Sequence, residues 1–174
     1  MTDLIDIAII GGGAAGLAAG LYSAQGGMKT VIFESLMPGG KLGVITHLTN
    51  YPGFANGTDG FTLATEMEKQ ATKAGATVVN EQVMSIILEG NPKQIITNSN
   101  KYLAKSIIIT AGAVPRPAGF ANEQDFVGKG VSYCALCDGA LYRNKRVAVV
   151  GGGNTAISDA IYLSRFAQKV YVIH

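Results

Sequence analysis

Apolar and polar positions along this chain follow two rhythms in turn. From Leu4 to Ile10 every position but Asp6 is apolar, the unbroken run of a strand covered on both faces. Gly11 to Gly16 interrupts it as a turn. Ala14 to Gln25 follows as an alanine-rich helix with small faces, ended by Gly26-Gly27. Thr30 to Phe33 is a second strand closed by Glu34, which completes a β-α-β unit. Ser35 to Gly60 has no period and is rich in Gly, Pro, Asn and Thr, and so long a loop is more often functional than idle. Phe61, Ala64, Met67 and Ala71 set the spacing of a helix over Phe61 to Ala74, stopped by Gly75. Short strands are expected at 77–79, 83–88, 94–97 and 102–110, with turns at Asn91-Pro92 and Asn98-Ser99-Asn100. The β-branched run Ser106 to Thr110 reads as buried.

Pro115 and Pro117 forbid a continuing helix or central strand, so 113–119 is the linker candidate. A second β-α-β pattern then appears, with strands at Arg146–Val150 and Lys169–Ile173 and a helix over about Thr155–Phe166. Two strands and one helix do not complete a doubly wound sheet, so this second domain is expected to be incomplete.

Composition narrows the functions. Gly is the outlier, 23 of 174 residues against a usual share of about 7%. The excess gathers in turns, a sign of backbone approaching something closely. Net charge is only +2 with no run of like charges, which argues against nucleic acid as a partner. The first six residues lack the basic start and apolar core of a signal peptide, and no apolar run nears the roughly 18 residues of a membrane helix. A cytosolic location without membrane association is expected.

Gly11-x-Gly13-x-x-Gly16 fits the dinucleotide fingerprint. The first glycine allows the tight turn, the second admits the pyrophosphate to backbone N–H groups, and the third lets helix and strand pack closely. Glu34, at the end of the second strand, is where an acid accepts hydrogen bonds from an adenosine ribose. Gly151-x-Gly153-x-x-Ala156 repeats the logic after Val147–Val150, with Ala in the third place. Its ribose-reading residue falls at or beyond His174, so spacing does not decide between NAD and NADP.

The chain has two cysteines, Cys134 and Cys137, at C-x-x-C spacing with Asp138 next door. In a reducing compartment such a pair argues for redox work or a metal. At a helix start the dipole favours a thiolate, and Asp138 is placed to move the proton that thiol–disulfide exchange requires. A zinc site wants two more ligands, and only His47 and His174 are available. A pair of buried free thiols is the plainer alternative. His47, in the long loop, reads as a solvated side chain.

These segments together resemble the low-molecular-weight thioredoxin reductases. The resemblance rests on residues 131–139 (VSYCALCDG), 149–156 (VVGGGNTA), 11–16, Gly39-Gly40-Lys41-Leu42, Asn50-Tyr51-Pro52-Gly53 and Thr110-Ala111-Gly112. It covers the whole chain and a little over half of a family member. The resemblance implies an α/β fold: residues 1–113 as the first part of a Rossmann-like FAD-binding domain, 114–119 as a hinge, and 120–174 as the start of an inserted NADPH-binding domain. Gly11, Gly13, Ala14, Ala15 and Gly16 would hold the FAD pyrophosphate and Glu34 its ribose. Gly39, Gly40, Lys41, Leu42 and Asn50 would line the flavin side, Thr110, Ala111 and Gly112 would pass beside the cofactor, and Val83 would meet the adenine through its main chain. Gly151, Gly153, Asn154, Thr155 and Ala156 would hold NADPH. Electrons would run from NADPH through FAD to the dithiol and on to thioredoxin, with Cys137 facing the flavin, Cys134 attacking the partner and Asp138 as acid and base. Members alternate between two domain orientations and are usually homodimers.

Two departures stand out: Lys41 where many members carry Gln, and an ending at His174 ahead of the family's basic residues for the 2′-phosphate. This chain alone is therefore expected to bind FAD weakly or not to turn over. The flavoprotein component of an alkyl hydroperoxide reductase shares the module but carries extra N-terminal domains, whereas Met1 lies three residues before the first strand. A ferredoxin-fed relative is disfavoured by the intact Gly151 turn, and ferredoxin/flavodoxin reductases lack the dithiol. The non-enzyme alternative is a dinucleotide-binding or interaction module without turnover.

Overall fold

The computed structural model describes residues 4–174. The chain divides into two compact units, one ending at Ala113 and the other spanning Val114–His174.

The first unit contains β1 (Ile5–Ile10), α1 (Ala14–Gln25), β2 (Thr30–Glu34), a 3-10 turn (Gly40–Val44), α2 (Gly60–Lys73), β3 (Thr77–Asn80), β4 (Val83–Ile87), β5 (Lys93–Thr97) and β6 (Lys101–Ile109). Its six strands lie in the order β3-β2-β1-β6-β5-β4. β3, β2, β1 and β6 are parallel neighbours, and β6, β5 and β4 form an antiparallel meander.

Two apolar clusters explain why these runs become these elements. Ile9 and Ile32 pack with Leu17 and Ala24 of α1 and with Ala71 of α2. Ala8, Val31 and Phe33 pack with Ile95 of β5, with Tyr102 and Val83 against them. The alternating residues of β1 and β2 thus feed one cluster each, which is why both strands are apolar throughout. Burying an aliphatic side chain of this size is worth about 1.5–3 kcal/mol, and Ile9, Leu17, Ile32 and Ile95 are wholly buried. α2 starts at Asp59, whose carboxylate accepts the Thr62 N–H at 2.8 Å and the Thr62 hydroxyl at 2.6 Å.

Two expectations for this unit need revision. The long loop contains the 3-10 turn and an isolated bridge, Leu48 to Thr58. That turn is set by Gly39 and Gly40, both at positive φ (115° and 54°), a local device that leaves no hydrophobic period. The run Ser106–Thr110 is less buried than its composition suggests: Ser106 and Ile109 are exposed and Ile107 and Ile108 only half-buried. β6 pairs with β5 over residues 101–104 and with β1 over 104–109, so past Ala104 its ladder is one-sided among the described residues.

The second unit holds a 3-10 turn (Glu123–Phe126), the one-turn helix α3 (Ala135–Asp138), a further 3-10 turn (Gly139–Tyr142), β7 (Arg146–Val150), α4 (Asn154–Leu163) and β8 (Lys169–Ile173). β7 and β8 form a parallel pair. α4 ends at Leu163, short of the expected Phe166, where the Ser164 hydroxyl turns back to the Ile161 carbonyl at 2.8 Å. Tyr162 and Phe166 then meet edge to face, ring centroids 5.3 Å apart. Residues 111–120 carry neither helix nor strand and are exposed.

Candidate functional site: two glycine turns and a disulfide

In the first unit, the sharp turn after β1 is made by Gly11 at φ 104°, where a Cβ would sit 2.4 Å from the Thr110 carbonyl oxygen. A Cβ on Gly16 would lie 1.9 Å from the Gly11 oxygen, so helix and strand approach at a distance only glycine permits. Gly13 differs: nothing lies within 4 Å of where its Cβ would be. It caps α1 with no side chain bonded to the helix end and no acid in the first turn. The leading N–H groups of α1 therefore face an open cradle, complementary to a pyrophosphate.

The surroundings of that cradle come from distant sequence. Glu34 Oε2 accepts the Gly12 N–H at 2.8 Å, and Oε1 accepts the N–H groups of Ser35 and Leu36. Gly39 donates its N–H to the Gly12 carbonyl at 2.8 Å, and Gly40 backs onto Gly13. Thr110 donates its N–H to the Ile10 carbonyl and its hydroxyl to the Gly11 carbonyl, both at 2.8 Å, with Ala111 beside Gly11. Residues 11–16, Glu34, Gly39, Gly40, Thr110 and Ala111 are thus brought together. Gly112 follows at φ 72°. Ala14 is half-buried and Ala15 exposed in the first turn of α1, and Lys41 and Leu42 sit in the 3-10 turn. Asn50 lines an open hollow of about 370 Å³ formed by residues 49–55. Val83 begins β4 opposite Thr97.

Near Val83, Glu81 gathers the Thr97 hydroxyl at 2.5 Å, the Asn100 amide at 2.8 Å and the Tyr102 hydroxyl at 3.0 Å. These donors, Thr97 first, hold its carboxyl below the usual glutamate value.

In the second unit the turn repeats with looser packing. Gly151 has φ 130°, and its Cβ would meet only the Ala156 methyl at 3.4 Å. Gly153 caps α4 with open space at its Cβ position, no side-chain cap and no first-turn acid. Asn154 and Thr155 are exposed on that turn. A Cβ on Gly152 would fall 2.7 Å from the His174 ring, so His174 covers this turn much as Glu34 covers Gly12.

Cys134 and Cys137 are joined in a disulfide, which sets aside both zinc ligation and free buried thiols in this structure. Cys134 caps α3, its sulfur accepting the Cys137 N–H at 3.2 Å. The Asp138 N–H donates to the Cys134 carbonyl at 3.1 Å. Gly139 fixes the turn to α4: a Cβ there would press on Leu163, Phe166 and Tyr162 at 3.1–3.3 Å.

Sequence reasoning passed over two groups near the disulfide. Ser132 donates to Asp138 Oδ2 at 2.6 Å. Glu123, 4% exposed, accepts N–H groups from Ala118 at 2.8 Å and Gly119 at 2.7 Å, and the Tyr133 hydroxyl at 2.6 Å. Those bonds, Tyr133 first, hold the Glu123 carboxyl below its usual value, and the same contact raises the Tyr133 hydroxyl. Ser132, two residues before a C-x-x-C, offered a local turn-forming signal; Glu123 offered none.

These geometries define a nucleotide-binding α/β protein with a disulfide in the same unit as its second glycine turn. A family profile described as pyridine nucleotide-disulphide oxidoreductase matches residues 5–174, and the chain belongs to that family. FAD and NADPH are the cofactors of the family, and both glycine cradles fit such dinucleotides. The chain is 46% identical to the thioredoxin reductase of Peptoclostridium acidaminophilum over all of its length and 55% of that protein's. The thioredoxin reductase of Streptococcus pyogenes superposes with a TM-score of 0.87 at 38% identity, covering all of this chain and 56% of that one. A ferredoxin-flavin thioredoxin reductase from Clostridium acetobutylicum gives 0.58 at 35% identity, covering 97% of this chain and 58% of that one. The chain spans about half the length of the curated relatives it matches.

Proposed function

We propose that this chain supplies the flavin cradle, the nicotinamide cradle and the redox disulfide of a thioredoxin-disulfide reductase. The observation that carries the reading is the Cys134–Cys137 disulfide, with Asp138 bonded into the same turn and a dinucleotide-type turn in the same unit. FAD, when bound, supplies the ring through which two electrons pass from NADPH to the disulfide. The chain's own residues do the rest. The α1 N-terminus and Gly13 receive the FAD pyrophosphate, and Glu34 receives its ribose. Gly39 to Leu42, Asn50 and residues 110–112 line the flavin side, and Val83 meets the adenine. Gly151, Gly153 and residues 154–156 receive NADPH, with the imidazole of His174 over Gly152 offering a hydrogen-bond donor to a phosphorylated ribose.

Once the disulfide is opened, Cys134 attacks the thioredoxin disulfide, Cys137 resolves the mixed disulfide, and Asp138 moves the proton. Residues 114–119 act as the hinge between an FAD domain, 1–113, and an NADPH domain, 120–174. The working protein is cytoplasmic, since a cysteine pair that cycles through its dithiol suits a reducing compartment, and it is a homodimer, as members of the family it resembles usually are. No helix among the described residues is long and apolar enough to cross a membrane.

The test uses the full-length protein loaded with FAD. NADPH should make Cys134 and Cys137 open to alkylation, and oxidised thioredoxin should close them again. A pair that stays bonded under NADPH refutes the reading.

A further inference from the structure

Ser132 lies in the 131–139 segment but has been given no role, yet it is the hub of a small ring of hydrogen bonds. Its hydroxyl donates to Asp138 Oδ2 at 2.6 Å, and its oxygen accepts the Cys134 N–H at 3.1 Å. The Asp138 N–H returns to the Cys134 carbonyl at 3.1 Å. Asp138 is therefore tied to Cys134 twice, by its backbone and, through Ser132, by its carboxylate. The O–H···O distance lies in the charge-assisted range, and donation of an amide into the same hydroxyl strengthens the bond the hydroxyl makes. Among the described residues no other side chain donates to the Asp138 carboxylate. Without Ser132 that carboxylate loses the one side-chain donor that fixes its orientation among the described residues.

We infer that Ser132 is a positioning residue for proton transfer: it acts through Asp138, holding the carboxylate beside the Cys134–Cys137 pair. This rests on the reading of that pair as the redox centre. In the exchange, the Cys134 thiolate attacks one sulfur of the partner disulfide, and the partner S–S bond breaks as the mixed disulfide forms. The Cys137 thiolate then attacks Cys134 Sγ, restoring the internal disulfide and releasing the second partner sulfur. Two electrons pass to the partner in these steps. The two protons of the dithiol end on the partner's thiolates, Asp138 accepting from a cysteine thiol and returning the proton to a leaving sulfur. Ser132 forms no covalent bond and carries no electrons.

The experiment is a single-turnover reaction of the pre-reduced, FAD-loaded full-length protein with oxidised thioredoxin. Flavin content and circular dichroism confirm that each variant is folded. Asp138→Asn should slow the reaction by roughly a hundredfold, the lower range of general acid–base catalysis. Ser132→Ala should slow it by roughly tenfold, the loss of one hydrogen bond to a charged group. Ser132→Thr, which keeps the hydroxyl, should restore the rate to within about twofold of the parent. The deciding measurement is the double variant: in the Asp138→Asn background, Ser132→Ala should cost nothing further. An equal slowing in both backgrounds, or none in either, overturns the role given to Ser132 and leaves the disulfide reading standing. A parent whose cysteines do not exchange with thioredoxin at all overturns both.

Discussion

The two β-α-β turns follow one plan and differ in how tightly it is drawn. At the first, Gly16 leaves no room for a methyl group, its Cβ position 1.9 Å from the Gly11 oxygen. At the second, Ala156 occupies the equivalent place, its methyl 3.4 Å from the Cβ position of Gly151. The first is covered by a carboxylate, Glu34, and the second by an imidazole, His174. The first sits on a six-stranded sheet whose β2 is buried at four of five positions; the second sits on a parallel pair in which Val150, Val172 and Ile173 are about half exposed. A fingerprint read from spacing alone treats these as equivalent. The contacts show a close-packed cradle in one unit and a more open one in the other.

The largest effect expected is on the chemistry. Cys134→Ser or Cys137→Ser should lower NADPH-dependent thioredoxin reduction by at least about a thousandfold, since the nucleophile or its resolving partner is gone. Flavin reduction by NADPH should survive, and stopped-flow absorbance would show both.

Next comes the contrast between the turns. Gly16→Ala forces a methyl onto backbone that cannot move aside, costing about 3 kcal/mol or more of stability, with loss of FAD. Ala156→Gly should cost at most about 1 kcal/mol, the propensity difference within a helix. Equal effects in denaturant titrations would erase the distinction drawn between the turns.

Third, Glu34→Gln keeps the shape but weakens acceptance from Gly12 and from a ribose hydroxyl, each a hydrogen bond to a charged group. FAD affinity should fall by roughly ten- to a hundredfold, measured by titrating the apoprotein.

The smallest effect is on acid stability. Glu81 in the first unit and Glu123 in the second both have carboxyl values lowered by hydrogen bonds in the folded state. The unfolded chain then binds more protons on acidification, so the stability each contributes is complete above the ordinary glutamate value of 4.5 and fades as pH falls through the folded value. Glu81→Gln should flatten the acid limb for amides of the first unit and Glu123→Gln for those of the second, read by hydrogen exchange. Cross-effects would show that the units do not titrate separately.

Most of the first unit was legible because its signals are local. α1 has the bounds its alanine pattern predicts, and the other elements differ from expectation by about a residue at either end. The glycine positions were legible because a tight turn admits no alternative residue. The misses share a cause. The burial of Ile109 depends on whether a neighbouring strand lies beside β6, which composition does not encode. The 3-10 turn at Gly40–Val44 depends on two positive φ values. Ser132 and Glu123 matter through partners six and ten residues away, across irregular backbone where no period applies.

The buried carboxylate of Glu123 has a mechanical consequence. By grasping residues 118, 119 and 133 at once, it fastens the entry of the second unit to the doorstep of Cys134. Ala118 and Gly119 thus share one carboxylate with Tyr133, the residue directly before Cys134.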